Sequence, residues 1–118
     1  MNPKQVAQTY FDGLSGKDMS AVPYAEDAIL WSPLGPDGLE QPIRGRQAIM
    51  AFFEGVFPIL ERVELKNLFA EGDWASGRAF ISLSQPPGAV LRVSDVFHVV
   101  DGQITEQENH YDPRPALG

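Results

Sequence analysis

Val90-Leu91-Arg92-Val93-Ser94-Asp95-Val96-Phe97-His98-Val99-Val100, followed by Asp101-Gly102 and then Gln103 to Tyr111, is the stretch that decides the fold. Side chains on a strand point alternately to its two sides. Leu91, Val93, Phe97 and Val99 therefore share one face, and Val90, Val96 and Val100 share the other. Asp-Gly is favoured in tight hairpins, whose turns need positive φ, so residues 103–111 are expected to return as an antiparallel strand. A strand apolar on both faces needs cover on both. The helices this chain can supply cover one face, so the other is expected to pack against a second copy in a homodimer.

Upstream, the period of two continues. Trp74 to Ser84 reads as another long strand, separated from the first by the turn Gln85-Pro86-Pro87-Gly88. Before the turn Glu71-Gly72-Asp73, the residues Val63, Leu65, Asn67 and Phe69 alternate with Arg62, Glu64, Lys66 and Leu68, as in a strand with one buried face. Earlier still the spacing becomes helical. Ile49, Met50, Phe52, Phe53, Val56 and Phe57 form a broad apolar face after Gly45, and Pro58 ends or kinks that helix. Residues 33–42 carry too much Gly and Pro for anything but a loop, and Ala28 to Ser32 reads as a short strand. At the start, Asn2-Pro3 opens a helix whose apolar stripe is Val6, Ala7, Tyr10, Phe11 and Leu14. Gly16 stops it, and Asp18 is expected to cap a second, short helix ending before Pro23. Two helical segments, a strand, a helix and four long strands make an α+β domain, and 118 residues fit one such domain over 1–118.

Hydrophobic residues make up 43% of the chain, enough for a core. The net charge of -7 argues against nucleic acid and acidic membrane surfaces as partners, because both select basic patches. Without cysteine there is no disulfide, thiolate nucleophile or cysteine metal site, which suits a reducing cytoplasm. Residues 1–8 are polar, unlike a signal peptide, and no apolar run approaches membrane-spanning length. There is no Gly-rich phosphate loop or other cofactor motif, so no cofactor is expected.

The order of elements, with Val6-Ala-Gln-Thr-Tyr10-Phe11, Gly16-Lys-Asp18, Ala25-Glu-Asp27-Ala28, Ile43-Arg-Gly45-Arg46 and the ending His110-Tyr-Asp-Pro113, resembles the nuclear-transport-factor-2-like (NTF2-like) superfamily. That superfamily includes SnoaL-like polyketide cyclases, ketosteroid isomerases and limonene-epoxide hydrolases. The resemblance covers nearly the whole chain. It implies a curved, cone-shaped antiparallel sheet wrapped around helices, with a central pocket for a small hydrophobic molecule. Fold alone does not carry the activity.

In the isomerase pattern, a tyrosine on the first helix and an aspartic acid on the penultimate strand form an oxyanion hole. Tyr10 and Asp95 fall at the matching places. Asp95 shares its strand face with Val93 and Phe97, and a carboxyl in such surroundings tends to keep its proton and donate a hydrogen bond. The plainer alternative makes Tyr10 helix core and has Asp95 bond a neighbouring backbone amide; Arg78, on the neighbouring strand, is the cation that could reach it and form an ion pair. The isomerase pattern also wants an aspartate before a proline on the first strand, where this chain has Ser32-Pro33. Serine does not shuttle protons near neutrality without an activating base. The epoxide-hydrolase pattern wants two aspartates where Phe80 and Asn109 stand. A cyclase wants a base near the last strand. Asn109 is the match in place, and a one-residue slip offers His110 instead.

The resemblance thus nominates Tyr10, Asp95, Asn109 and His110 for catalysis. Trp31, Phe53, Phe57, Arg78, Phe80, Phe97 and Tyr111 are nominated for ligand binding, though core packing accounts for such aromatics equally well. His98 alternates away from Asp95, towards the outer face. Glu106, Glu108 and His110 share one face of the last strand, but two histidines and no cysteine are a poor ligand set, and no metal is expected. The expected chemistry is proton transfer on a compact hydrophobic or polyketide-like molecule by an isomerase, cyclase or dehydratase. A non-catalytic ligand-binding or dimerisation module is the other reading.

Overall fold

The computed structural model describes residues 1–118. Helix α1, Pro3–Gly16, starts at a complete capping box: Asn2 accepts from the Gln5 backbone N–H, and the Gln5 side chain accepts from that of Asn2. It ends one residue beyond the expected stop, with Lys17 in the left-handed conformation. No second helix follows. The Asp18 carboxylate instead takes the Ser20 N–H at 2.9 Å and closes a turn, because strand β1, Tyr24–Trp31, begins four residues before the expected Ala28. Turns fill the span to β2, Ile43–Arg44, and helix α2 runs Arg46–Val56, closed by a short 3-10 turn through Pro58. Strands β3 (Leu60–Glu71), β4 (Trp74–Leu83), β5 (Val90–Val100) and β6 (Gln103–His110) follow, then a one-turn helix α3, Arg114–Leu117.

The six strands form one curled sheet in the order β2-β1-β6-β5-β4-β3. It is mixed: β3 to β6 are antiparallel neighbours, but β1 lies parallel to β6. Of the four register shifts in the sheet, two bear on the faces read from the sequence. In β3 the register shifts between Leu65 and Asn67, so Val63 and Leu65 face inward before it and Leu68 after it, while Phe69 turns out and is 61% exposed. The expected unbroken alternation of Val63, Leu65, Asn67 and Phe69 on one face is therefore corrected, because an extra residue in a strand reverses its facing. In β6 the shift falls where β5 passes from His98 to Val99. Ile104, Gln107 and Asn109 then face inward.

Helices α1 and α2 fill the concave side. Tyr10 meets Phe11, Phe53 and Phe97 edge-on, with centroids 4.9, 5.4 and 5.1 Å apart. That packing requires Gly77. A Cβ built there would lie 2.2 Å from the Phe11 ring, so only glycine lets the ring rest on β4. No helix is long and apolar enough to cross a membrane.

Candidate active site

Between α1, α2 and the concave sheet lies a small cavity of about 80 Å3. Thirteen of its fifteen lining residues are hydrophobic, among them Leu14, Phe52, Phe53, Ile81, Leu91 and Val93. The two that are not are Asp95 and Asn109, and the register explains why they meet. Gly77, Asp95 and Asn109 stand in one row across β4, β5 and β6, so all three face the same way.

Asp95 is 1% exposed, and neither carboxyl oxygen has a hydrogen-bond partner of proper geometry. Loss of water penalises the charged form and pushes its pKa up to about 8, while the nearby Tyr10 hydroxyl pulls weakly the other way. At neutral pH the group is a carboxylic acid. Burial, and then the proximity of Asp95, raise Tyr10 well above the ordinary phenol range, and the same two causes raise Tyr24. Both phenols keep their protons.

Behind this pair lies a buried polar chain. The Tyr24 hydroxyl donates to Gln107 Oε1, and Gln107 Nε2 donates to Asn109 Oδ1 at 3.3 Å. At the cavity's side, Tyr111 shares a 3.3 Å hydrogen bond with Ser32 and is raised mainly by burial. Ser32, in the place of the isomerase aspartate, is itself buried.

Of the residues nominated from the sequence, Tyr10, Asp95, Asn109, Phe53 and Tyr111 converge on the cavity. The others do not. His110 pairs with Ser94 in register, one step from the inward row, and its Nε2 lies 3.1 Å from Glu108 on the outer face. Arg78 also points outward, donating to Asn67 at 3.0 Å and covering Phe80. The proposed Arg78–Asp95 pair is absent because neighbouring residues on a strand face opposite ways. Phe80 lies outside beneath Lys66, Arg78 and Arg92. Trp31 faces outward, its Nε1 3.4 Å from Glu106. Phe97 is wholly buried core, and Phe57 lines a separate surface hollow beside Met50. His98 stacks on Trp74 outside, as alternation requires.

Tyr24 and Gln107 escaped the sequence reading. A signal for Gln107 was present: in Glu106-Gln107-Glu108-Asn109-His110, uncharged amides alternate with ionisable groups, and the amides are the ones that can be buried. The cavity offers one carboxyl, phenols and amides but no imidazole, so its donor set does not suggest a metal site.

The family model for a SnoaL-like domain matches residues 7–107. The chain belongs to the SnoaL-like family. Solved structures agree on the fold. An NTF2-like protein of unknown function from Cytophaga hutchinsonii aligns with a TM-score of 0.81 at 18% identity, covering 100% of this chain and 96% of that one. A candidate polyketide cyclase from Sinorhizobium meliloti aligns at 0.74 and 24% identity, covering 90% and 94%. An epoxide hydrolase of the LEH-like kind from M. tuberculosis aligns at 0.77 and 18% identity, covering 98% and 86%. At these identities the likeness is one of fold. No curated protein matches the sequence.

Proposed function

We propose that this SnoaL-like protein binds a compact apolar molecule through one carbonyl or hydroxyl oxygen and moves a proton on it, as an isomerase, cyclase or lyase. The observation that carries the reading is Asp95, a neutral carboxyl in a nearly apolar cavity with both oxygens unpartnered. A buried polar group left unpaired costs free energy that a ligand oxygen can restore. The acid would donate to the oxygen as negative charge develops there, with Tyr10 beside it as a second donor, and Asn109 would orient the ligand. Asp95 is also the cavity group that titrates near neutrality, so it can return the proton as well as give it. A cavity of about 80 Å3 favours a small ring over a polycyclic polyketide.

The test is a pH-rate profile across a panel of small cyclic ketones and enones. Turnover should fall as pH rises through about 8, where Asp95 loses its proton. Asp95→Asn, which keeps a donor but cannot titrate, should bind within about tenfold of wild type and lose turnover roughly 10²–10⁴-fold. Binding without turnover by any panel member would favour the ligand-binding module, a reading supported by Ser32, which supplies no carboxylate on the first strand.

We also propose a homodimer through the outer sheet face. Phe69, Trp74 and Val100 are exposed large hydrophobics there. Lys66, Arg78 and Arg92 gather around Phe80 on one flank, and Glu106 and Glu108 lie on the other. A two-fold rotation would lay the basic flank of one copy on the acidic flank of the next. Ultracentrifugation at micromolar concentration should give twice the 13.0 kDa chain mass. A monomer alone removes the dimer, and Arg92→Glu should weaken association.

A further inference from the structure

We propose that Gln107, anchored by Tyr24, is a positioning residue that holds the Asn109 carboxamide with its nitrogen towards the cavity, so that Asn109 adds a second donor beside Asp95 for the acceptor oxygen of a ligand. The inference rests on reading the cavity as a ligand site, and it adds the polarity of that site.

In a dry place, donors and acceptors must pair with one another. Tyr24 is 1% exposed and Gln107 is fully buried, so their polar atoms depend on protein partners. Tyr24 keeps its proton, and its side-chain partner is Gln107. A phenol proton needs an acceptor, which an amide oxygen is and an amide nitrogen is not. The Gln107 oxygen must therefore face Tyr24, and its nitrogen faces the other way. That nitrogen meets Asn109 and requires an acceptor in turn, so Asn109 turns its oxygen to Gln107 at 3.3 Å. The Asn109 nitrogen is left facing the cavity. Directly opposite on β5 stands Asp95, which donates when neutral. A ketone oxygen or an enolate accepts from both groups.

Neutron diffraction from crystals of the ligand-free deuterated protein decides the orientation. Deuterons on the Gln107 nitrogen pointing at Asn109 Oδ1 are expected; the reverse orientation overturns the proposal whether or not any ligand binds. The functional arm compares cyclohexanone with methylenecyclohexane, which share a ring and differ in whether the exocyclic atom accepts a hydrogen bond. Wild type should prefer the ketone by about tenfold. In Tyr24→Phe/Gln107→Met, both partners of the anchoring bond become apolar and Asn109 Oδ1 loses its donor, so Asn109 is free to rotate and the preference should fall about threefold, the part left being that of Asp95. A folded double variant that keeps the full preference overturns the positioning role. If neither probe binds wild type while the neutron result stands, the amide orientation holds and the ligand-site reading fails.

Discussion

Two neighbouring rows of the sheet differ by a single step along each strand. Gly77, Asp95 and Asn109 form one; Arg78, Ser94 and His110 form the next. The first faces the helices, the second the outside. In the outer row Arg78 bonds Asn67, and His110 lies exposed against Glu108. In the inner row the Phe11 ring rests where a side chain would stand, and a carboxyl without water becomes a neutral acid. Reactivity here follows from which side of the sheet a residue faces more than from its chemical type. A register slip of one would exchange the rows and put His110 in the cavity.

The strongest way to break this contrast is through pH. Folded Asp95 keeps its proton up to about 8, whereas the unfolded chain releases it near 3.8. Between those values the native state binds more protons than the unfolded one, so this group makes stability fall as pH rises, by up to about 1.4 kcal/mol per unit, with no further change above about 8. Urea unfolding at pH 5 and pH 8 should show the decline in wild type and not in Asp95→Asn, which should be the more stable of the two at pH 8. Wild-type stability that rises across the window relative to the variant would mean that the inner carboxyl is ionised.

A second, smaller effect tests the same row by volume. Gly77→Ala drives a methyl into the Phe11 ring and should cost about 1–3 kcal/mol as helix and strand are pushed apart. An unchanged melting curve would mean that the ring moves away freely.

The smallest effect is expected outside. Arg78→Ala removes an exposed hydrogen bond and one cation over Phe80, and should cost no more than about 0.5–1 kcal/mol. A larger loss from Arg78 than from Gly77 would invert the contrast and point to a structural role for the outer cluster.

Local pattern was enough for most elements. The limits of β5 follow from its own composition and the Asp-Gly turn, and Asn2-Pro3 places the start of α1. The two bulges were not legible, because an unpaired residue shows only against the strand beside it. They decide that Phe69 is exposed and that Asn109 stands opposite Asp95, where unbroken pairing from the hairpin would put Glu108. The parallel pairing of β1 with β6, which brings Tyr24 within reach of Gln107, likewise leaves no mark on either strand alone.

The sequence by itself determined most of the α+β order, because periodicity is local and survives without knowledge of neighbours; the placing of Tyr10 with Asp95 came from the resemblance to the isomerase pattern. Only the tertiary structure decided that Asp95 has no cation beside it, that Arg78 and Phe80 belong to the outer face, and that a hidden Tyr24–Gln107 chain stands behind Asn109. Charge state and hydrogen-bond polarity depend on how much water and which partners surround a group, and those are set by segments far apart in the chain.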